Sequence, residues 1–220
     1  MKDLTNSSAF NAHHSEIIRL FIKYKIITFS FKKGFTLKSG IQSPIYVDAR
    51  KCLAYPDLMK HIDSTLGSLW HGRDWVVAGV ATGGLPYAGR LQSKLGMPLC
   101  YVRPEGKTKN YGKKNLIEGA PVKGKTVFLI EDVATTGKSI ERDALVFLKA
   151  GSRTIQAYSV FSYDSNKVRK NLSDAQLDVR VIFMSLITLQ EMLPALQKKL
   201  KPNDYDSLLR WKENPEAWQP

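Results

Sequence analysis

Residues 126–139 read TVFLIEDVATTGKS. Val127, Phe128, Leu129 and Ile130 run into two adjacent carboxylates, Glu131 and Asp132, and then into a short Thr- and Gly-containing turn ahead of the amphipathic stretch Ile140 to Ala150. An unbroken β-branched and aromatic run predicts a buried parallel strand, and the helical spacing of Ile140, Ala144, Phe147 and Leu148 predicts a helix packed back on it. The turn then falls at the carboxyl end of a strand, where open α/β sheets bind ligands.

The chemistry of the turn narrows the ligand. Ala134, Thr135, Thr136, Gly137, Lys138 and Ser139 bring backbone N–H groups, hydroxyls and a helix N-terminus to one point, which suits a phosphate. Glu131 and Asp132 would repel that phosphate. They are better suited to accept hydrogen bonds from sugar hydroxyls, or to stand near a metal bound to them. Together these features point to a sugar phosphate. A buried strand followed by a polar helix cap is the plainer explanation, and carboxylates at strand ends are common. The Walker pattern does not fit, because Lys138 follows a single Gly and no G-x-x-x-x-G-K-[ST] spacing occurs.

Working outward, residues 15–27 place Ile17, Ile18, Phe21 and Ile22 on helical spacing, with Ser15 as N-cap. Gly34, Gly40 and Pro44 break the next stretch into short antiparallel strands, with Lys38, Ser39 and Gly40 in a turn between them. A helix over 55–70 precedes a second buried strand, Trp75 to Val80, which ends in Ala81-Thr82-Gly83-Gly84 and a helix from Leu85 to Leu95. The glycines permit close backbone approach ahead of another helix N-terminus, although tight turning alone would account for them. A third strand, Pro98 to Val102, leads into a lysine-rich stretch around Gly106 and Gly112 that predicts a mobile basic loop able to close over a polyanion. Strands at 154–163 and 179–184 alternate with helices at 166–172 and 187–200, which implies a parallel sheet with right-handed crossovers. The end of the chain reads as a docked helix and tail without catalytic features.

Composition sets outer limits. The chain has 220 residues, 33 Lys and Arg against 20 Asp and Glu, and a formal net charge of +13. This length suits one α/β domain with appendages, and the charge favours anionic partners, though lysine runs at 107–125 and 198–201 are ordinarily solvated faces. Cys52 and Cys100 make neither a disulfide framework nor a metal knuckle, and the four histidines have no metal-binding spacing. No apolar run approaches membrane-spanning length and the start lacks a signal-peptide core, so the expectation is a cytoplasmic protein without membrane contact.

Two motifs carry a resemblance. The apolar strand, acidic pair and T-T-G-x-S turn resemble the phosphoribosyl pyrophosphate motif of type I phosphoribosyltransferases. Independently, FTLKSGIQSPIYVDAR, Phe35 to Arg50, is similar to the amino-terminal signature of orotate phosphoribosyltransferases. The resemblance implies an α/β type I phosphoribosyltransferase fold: a mostly parallel five-stranded sheet flanked by helices, with a small N-terminal hood. It divides the chain into hood elements over 1–55, an α/β core over 56–200 and a helix and tail over 201–220. Phosphoribosyl pyrophosphate would be bound by Arg103, Lys107, Lys109, Tyr111, Glu131, Asp132 and Val133, by the turn from Ala134 through Thr135, Thr136, Gly137 and Lys138 to Ser139, and by Thr82, Gly83 and Gly84. Orotate would be bound by Lys38, Ile45, Tyr46 and Thr135. Catalytic roles fall to Lys109, Lys107 and Asp132, with Mg2+ carried by substrate and water near Glu131 and Asp132. A homodimer is implied, in which loop 103–115 reaches the neighbouring active site, and nucleic acid is not expected as a partner.

The chain departs from the family pattern in three places. Arg103 and Tyr111-Gly112 stand two residues further apart than usual, so Lys109 matches the loop lysine counted from Tyr111 and Lys107 counted from Arg103; Lys109 is favoured. Some members carry lysine where Gly83 stands. The Asp-Arg pair that grips the orotate carboxylate is replaced by Tyr163-Asp164-Ser165, leaving Lys167, Arg169 or the backbone to hold it. The alternatives are therefore a type I enzyme for another base, and a non-catalytic phosphoribosyl pyrophosphate-sensing regulator that binds nucleic acid.

Overall fold

A computed structural model describes residues 8–37, 40–70, 72–104 and 116–220, with side chains from Ala12 onward. Six strands form the main sheet: β5 (Trp75–Gly79), β6 (Leu99–Val102), β7 (Ile117–Gly119), β8 (Thr126–Ala134), β9 (Thr154–Ser162) and β10 (Val181–Thr188). Their order across the sheet is β10-β9-β8-β5-β6-β7. The first five in that order are parallel, and β7 is an antiparallel edge strand that pairs Ile117 with Val102. The sheet thus has the expected parallel strands and one further short edge strand. β7 escapes a sequence reading because it has three residues, only one of them a strand-favouring aliphatic, and no burial alternation.

The apolar run at 126–134 is buried from both sides, which is why it shows no alternation in sequence. Val127 and Leu129 face α4 (Lys138–Lys149) and α5 (Ser165–Asp174), where Ile140, Phe147, Val168 and Leu172 meet them. Phe128 and Ile130 face the opposite layer, built from α1 (Ser8–Lys23), α2 (Pro56–Ser68), α3 (Leu85–Leu95) and α6 (Leu189–Gln197). Phe128 stacks on Tyr158 with centroids 4.4 Å apart. Each such fully buried side chain contributes roughly 1.5–3 kcal/mol of transfer free energy.

Several boundaries differ from the sequence reading. α1 begins at Ser8 and leaves Ser15 inside the helix, since no Gly or Pro interrupts Ser8–Lys23. It ends before the β-branched pair Ile26-Ile27, which enters β1 (Ile27–Phe29). β10 runs on to Thr188, and α6 starts behind it through a capping box: the Thr188 hydroxyl accepts the Glu191 N–H while the Glu191 carboxylate accepts the Thr188 N–H.

The amino-terminal appendage is a pair of small antiparallel ribbons. β1 pairs with β4 (Ile45–Val47), and β2 (Phe35–Thr36) pairs with β3 (Gln42–Ser43). A 3-10 turn over Ala49–Ala54 follows. The last helix, α7 (Pro202–Glu213), lies against this appendage, with Trp211 and Trp218 buried. No described helix is long and apolar enough to cross a membrane.

Candidate active site

The chain proceeds from β5 outward to β6, then returns across β5 to β8. The strand order therefore reverses between β5 and β8, and ligands of doubly wound sheets bind at such a point. The two strand ends are held together where the Val80 N–H donates to the Ile130 carbonyl at 2.8 Å. Behind β5 comes the turn 80–84, with a cis Ala81–Thr82 peptide, and behind β8 the turn 135–137. A cleft of about 510 Å³ opens between these turns and the amino-terminal ribbons.

At one end lies the amino terminus of α4. Its N-cap is Gly137 at φ +80°, with no side-chain cap, and the first helical amide bonded within the turn is that of Glu141, which donates to the Gly137 carbonyl. The preceding N–H groups of 138–140 are the orphan donors of a helix start, aimed where an anion would lie. Glycine is required at 137, because the left-handed φ disfavours a side chain and a Cβ would press on Val168. From α5, Asn171 Nδ2 donates to the Thr136 carbonyl at 2.8 Å and fixes the turn.

Facing that anion site are the two carboxylates. Glu131 is 7% exposed, and burial, then the adjacent Asp132, push its carboxyl well above the ordinary range. Asp132 is more open; its Oδ2 lies 3.9 Å from Arg50 Nε, which is also 3.6 Å from Asp48 Oδ1. These carboxylates, Asp48 first, raise the Arg50 guanidinium above its usual value. A Cβ on Gly83 would overlap the Asp132 carboxylate, and one on Gly84 would overlap the Ile130 carbonyl, so both glycines are set by close approach. A lysine at 83 could be seated only by moving Asp132.

Among the residues expected from sequence, Tyr46, Thr82, Gly83, Glu131, Asp132, Val133, Ala134, Thr135, Thr136, Gly137, Lys138 and Ser139 line this cleft. Gly84 packs behind it and Ile45 is buried in the core. Arg103 does not line the cleft; its Nε donates to Glu118 Oε1 of β7 at 2.6 Å, because the antiparallel register sets Glu118 opposite Tyr101, two residues from Arg103 and on the same face of the ribbon. Lys38, Lys107, Lys109 and Tyr111 lie outside the described residues.

The structure adds Leu37, Ile41, Val47, Asp48, Arg50 and Glu216, which the sequence reading did not single out, and places Tyr163, Asp164, Lys167 and Arg169, which it did. Arg50 and Asp48 belong to the Phe35–Arg50 signature, whose match was a usable signal for them. Leu37, Ile41, Val47 and Tyr163 form an apolar wall on the side of the ribbons, and Glu216 reaches the rim from the far end of the chain. Asp164 is the N-cap of α5, its carboxylate accepting the N–H groups of Asn166 and Lys167 at 2.9 and 3.1 Å. Lys167 lines both this cleft and an adjoining one of about 550 Å³, and no side-chain hydrogen bond or ion pair holds its ammonium among the described residues. Arg169 lines only the adjoining cleft, with its guanidinium donating to Asn166 Oδ1 and the Phe183 carbonyl.

An uncapped helix start and a pair of carboxylates, set at the switch point of a parallel sheet, make an α/β protein with a cleft suited to a phosphorylated sugar, and the phosphoribosyl transferase domain family matches residues 55–184, so the chain belongs to that family. Within the family it is similar to the orotate phosphoribosyltransferase of Lactobacillus johnsonii, 36% identical over 94% of this chain and 97% of the relative. It is likewise similar to that of Staphylococcus saprophyticus, 34% identical over 90% of this chain and 97% of the relative. The crystal structure of orotate phosphoribosyltransferase from Aeropyrum pernix superposes with a TM-score of 0.67 at 31% identity, covering 83% of this chain and 98% of that one.

Proposed function

We infer that the protein transfers the 5-phosphoribosyl group from phosphoribosyl pyrophosphate to orotate, releasing orotidine 5'-phosphate and pyrophosphate in pyrimidine biosynthesis. The observation that carries this reading is the uncapped amino terminus of α4 facing Glu131 and Asp132 across one cleft. Similarity to orotate phosphoribosyltransferases over nearly the whole chain supplies the base.

In the reaction the bond from the anomeric carbon to a pyrophosphate oxygen breaks and one to the orotate nitrogen forms. The ribose carries cationic character between these events. The turn 134–139 holds the 5-phosphate, and Asp132 and Glu131 accept hydrogen bonds from the ribose hydroxyls, which orients the ring and favours the cationic state. Thr82 and Gly83 meet the pyrophosphate through the backbone, with Gly84 shaping their turn. Tyr46, Thr135 and the apolar wall receive the base. Lys38, and Lys109 or Lys107 with Arg103 and Tyr111, complete the set from the resemblance. No covalent nucleophile is needed.

The donors present fit magnesium held mainly by substrate. Among the described residues no cluster of three or more His, Cys, Asp or Glu could enclose a metal, while Asp132 offers one accessible carboxylate and Glu131 a second held toward its neutral form. The ion, when bound, would neutralise charge on the departing pyrophosphate. We further propose a cytoplasmic homodimer in which residues 103–115 serve the neighbouring site.

The test is the fall of orotate absorbance when phosphoribosyl pyrophosphate and magnesium are added to the purified protein, with each omitted in turn. Consumption that requires all three supports the reading. Binding of phosphoribosyl pyrophosphate without consumption of orotate refutes it, and purine bases tried in parallel would show a different acceptor.

A further inference from the structure

The carboxyl-terminal segment is more than a cover for the core. Trp211 of α7 is 3% exposed, and its Nε1 donates to the backbone carbonyl of Gln42 at 2.7 Å. The same ring meets Tyr163 edge-on, with centroids 5.8 Å apart. Tyr163 stands at the end of β9, and its hydroxyl accepts the Val47 N–H at 3.1 Å. Trp211, directly and through Tyr163, therefore joins three elements: the β2–β3 ribbon, the β4 strand beside it and the carboxyl edge of the main sheet.

What it joins is the apolar wall of the cleft. Leu37 and Ile41 leave the ends of β2 and β3, paired by the Leu37 N–H donating to the Ile41 carbonyl, and both line the cleft with Val47 and Tyr163. The ribbon itself is only two residues long on each arm, too short to hold a position on its own. Its placement must come from tertiary contacts. Trp218 supplies a second one, lying against Gly34 so closely that a Cβ there would come within 3.1 Å of the indole, and donating from Nε1 to Ser207 Oγ. The tail between the two tryptophans brings Glu216 to the cleft rim.

We propose that Trp211 is a positioning residue for the acceptor base: through the Gln42 carbonyl and Tyr163 it fixes the ribbon wall against which the base packs. The proposal rests on reading the cleft as a site for base and sugar phosphate. The anion turn at 135–139 and the carboxylates of β8 are held by other contacts, from Asn171 and from the β5–β8 pairing, and so do not depend on Trp211.

Trp211→Phe tests it, since phenylalanine keeps an aromatic ring against Tyr163 and deletes the donor to Gln42. KM for orotate should rise about fivefold to tenfold, the worth of one buried hydrogen bond. Turnover, and affinity for phosphoribosyl pyrophosphate measured by calorimetry without base, should stay within about twofold. Hydrogen exchange gives a readout independent of the base: the Leu37 and Gly40 amides should exchange faster, while those of Phe128 to Ile130 keep their protection. Faster exchange throughout β8 as well would make Trp211 an ordinary core residue and overturn the proposal. Unchanged exchange at Leu37 and Gly40 would overturn it too, as would an unchanged KM in an enzyme that consumes orotate. If the unaltered protein fails to consume orotate, the functional reading falls, and the exchange experiment alone decides whether Trp211 holds the ribbon.

Discussion

Gly83 packs against the carboxylate of Asp132 so tightly that a Cβ at position 83 would overlap both Oδ atoms. The turn after β5 and the acidic pair of β8 are thus one rigid arrangement, in which the absence of a side chain on one element sets the aim of a carboxylate on the other. Gly83→Ala is expected to push Asp132 toward Arg50 and weaken phosphoribosyl pyrophosphate binding at least about tenfold. Because Gly83 lies at the cleft and does not adopt the left-handed φ that disfavours a side chain, the melting temperature should fall by only a few degrees. Titration calorimetry alongside thermal melting checks this, and binding within twofold of the unaltered protein would contradict it.

Asp143 makes stability depend on pH. It is fully buried on α4, with Oδ1 accepting from Arg142 Nε at 2.7 Å and Oδ2 without a hydrogen-bond partner among the described residues. Burial outweighs Arg142 and raises its carboxyl from 3.8 to about 6. The folded state keeps the proton longer than the unfolded chain, so this group's contribution to stability falls as pH rises from about 4 to about 6 and is level above that. Asp143→Asn removes the titration. The stability of the variant relative to the unaltered protein should therefore climb through that window, by up to about 3 kcal/mol, and then stay constant. Urea unfolding at a series of pH values measures it, and a difference independent of pH would refute the assignment.

The end of the cleft that we propose for the phosphate was legible from sequence because its parts are consecutive. A strand, two carboxylates and a helix start follow one another over 126–139, and local physics alone places them at one point. The end that we propose for the base is assembled from four distant segments, around 37–50, 135, 163–167 and 211–216, and no periodicity connects them. Asp164 illustrates the difference. In sequence it is an unmatched acid beside a missing arginine; in the structure it is spent on capping α5. Arg50 could have been found from the signature that contains it, whereas Glu216 and Trp211 gave no local signal, since a tail helix with buried tryptophans reads the same whether or not it reaches a cleft. The edge strand β7 was lost for want of length, and the start of α1 because Ser15 is as good a cap as any residue the chain actually uses.

The loop lysines differ in what they should do. On the resemblance, Lys109 meets the leaving pyrophosphate late, so Lys109→Ala is expected to lower turnover by about a hundredfold or more with affinity for phosphoribosyl pyrophosphate changed only a few-fold. Lys107→Ala should show the reverse balance, with affinity the more affected. Steady-state kinetics with equilibrium binding on both variants separates them. Reversed results would transfer the catalytic role to Lys107, and equal losses in turnover and affinity would remove it from Lys109.

The last prediction concerns the orotate carboxylate. Of the three cations that follow the strand end in α5, Lys170 is paired with Asp174 and lines neither cleft, which leaves two. Arg169 is held by Asn166 and the Phe183 carbonyl and lines only the outer cleft. Lys167 lies in the first turn of α5, lines both clefts where they meet beside Tyr163 and Thr135, and has no anionic partner among the described residues. A carboxylate carried by a base lying on the apolar wall would gain most from Lys167, since its ammonium sheds only water and breaks no ion pair to accept a new partner. Lys167→Ala should therefore raise KM for orotate at least about tenfold and leave binding of phosphoribosyl pyrophosphate within about twofold. Arg169→Ala should change neither by more than about twofold. Uracil, which lacks the carboxylate, supplies the control: whatever weak inhibition it exerts on orotate turnover should be the same in the Lys167 variant and the unaltered protein. Equal losses for orotate and uracil would mean that Lys167 shapes the cleft without reading the carboxylate, and a larger effect from Arg169→Ala would move that role to the outer cleft.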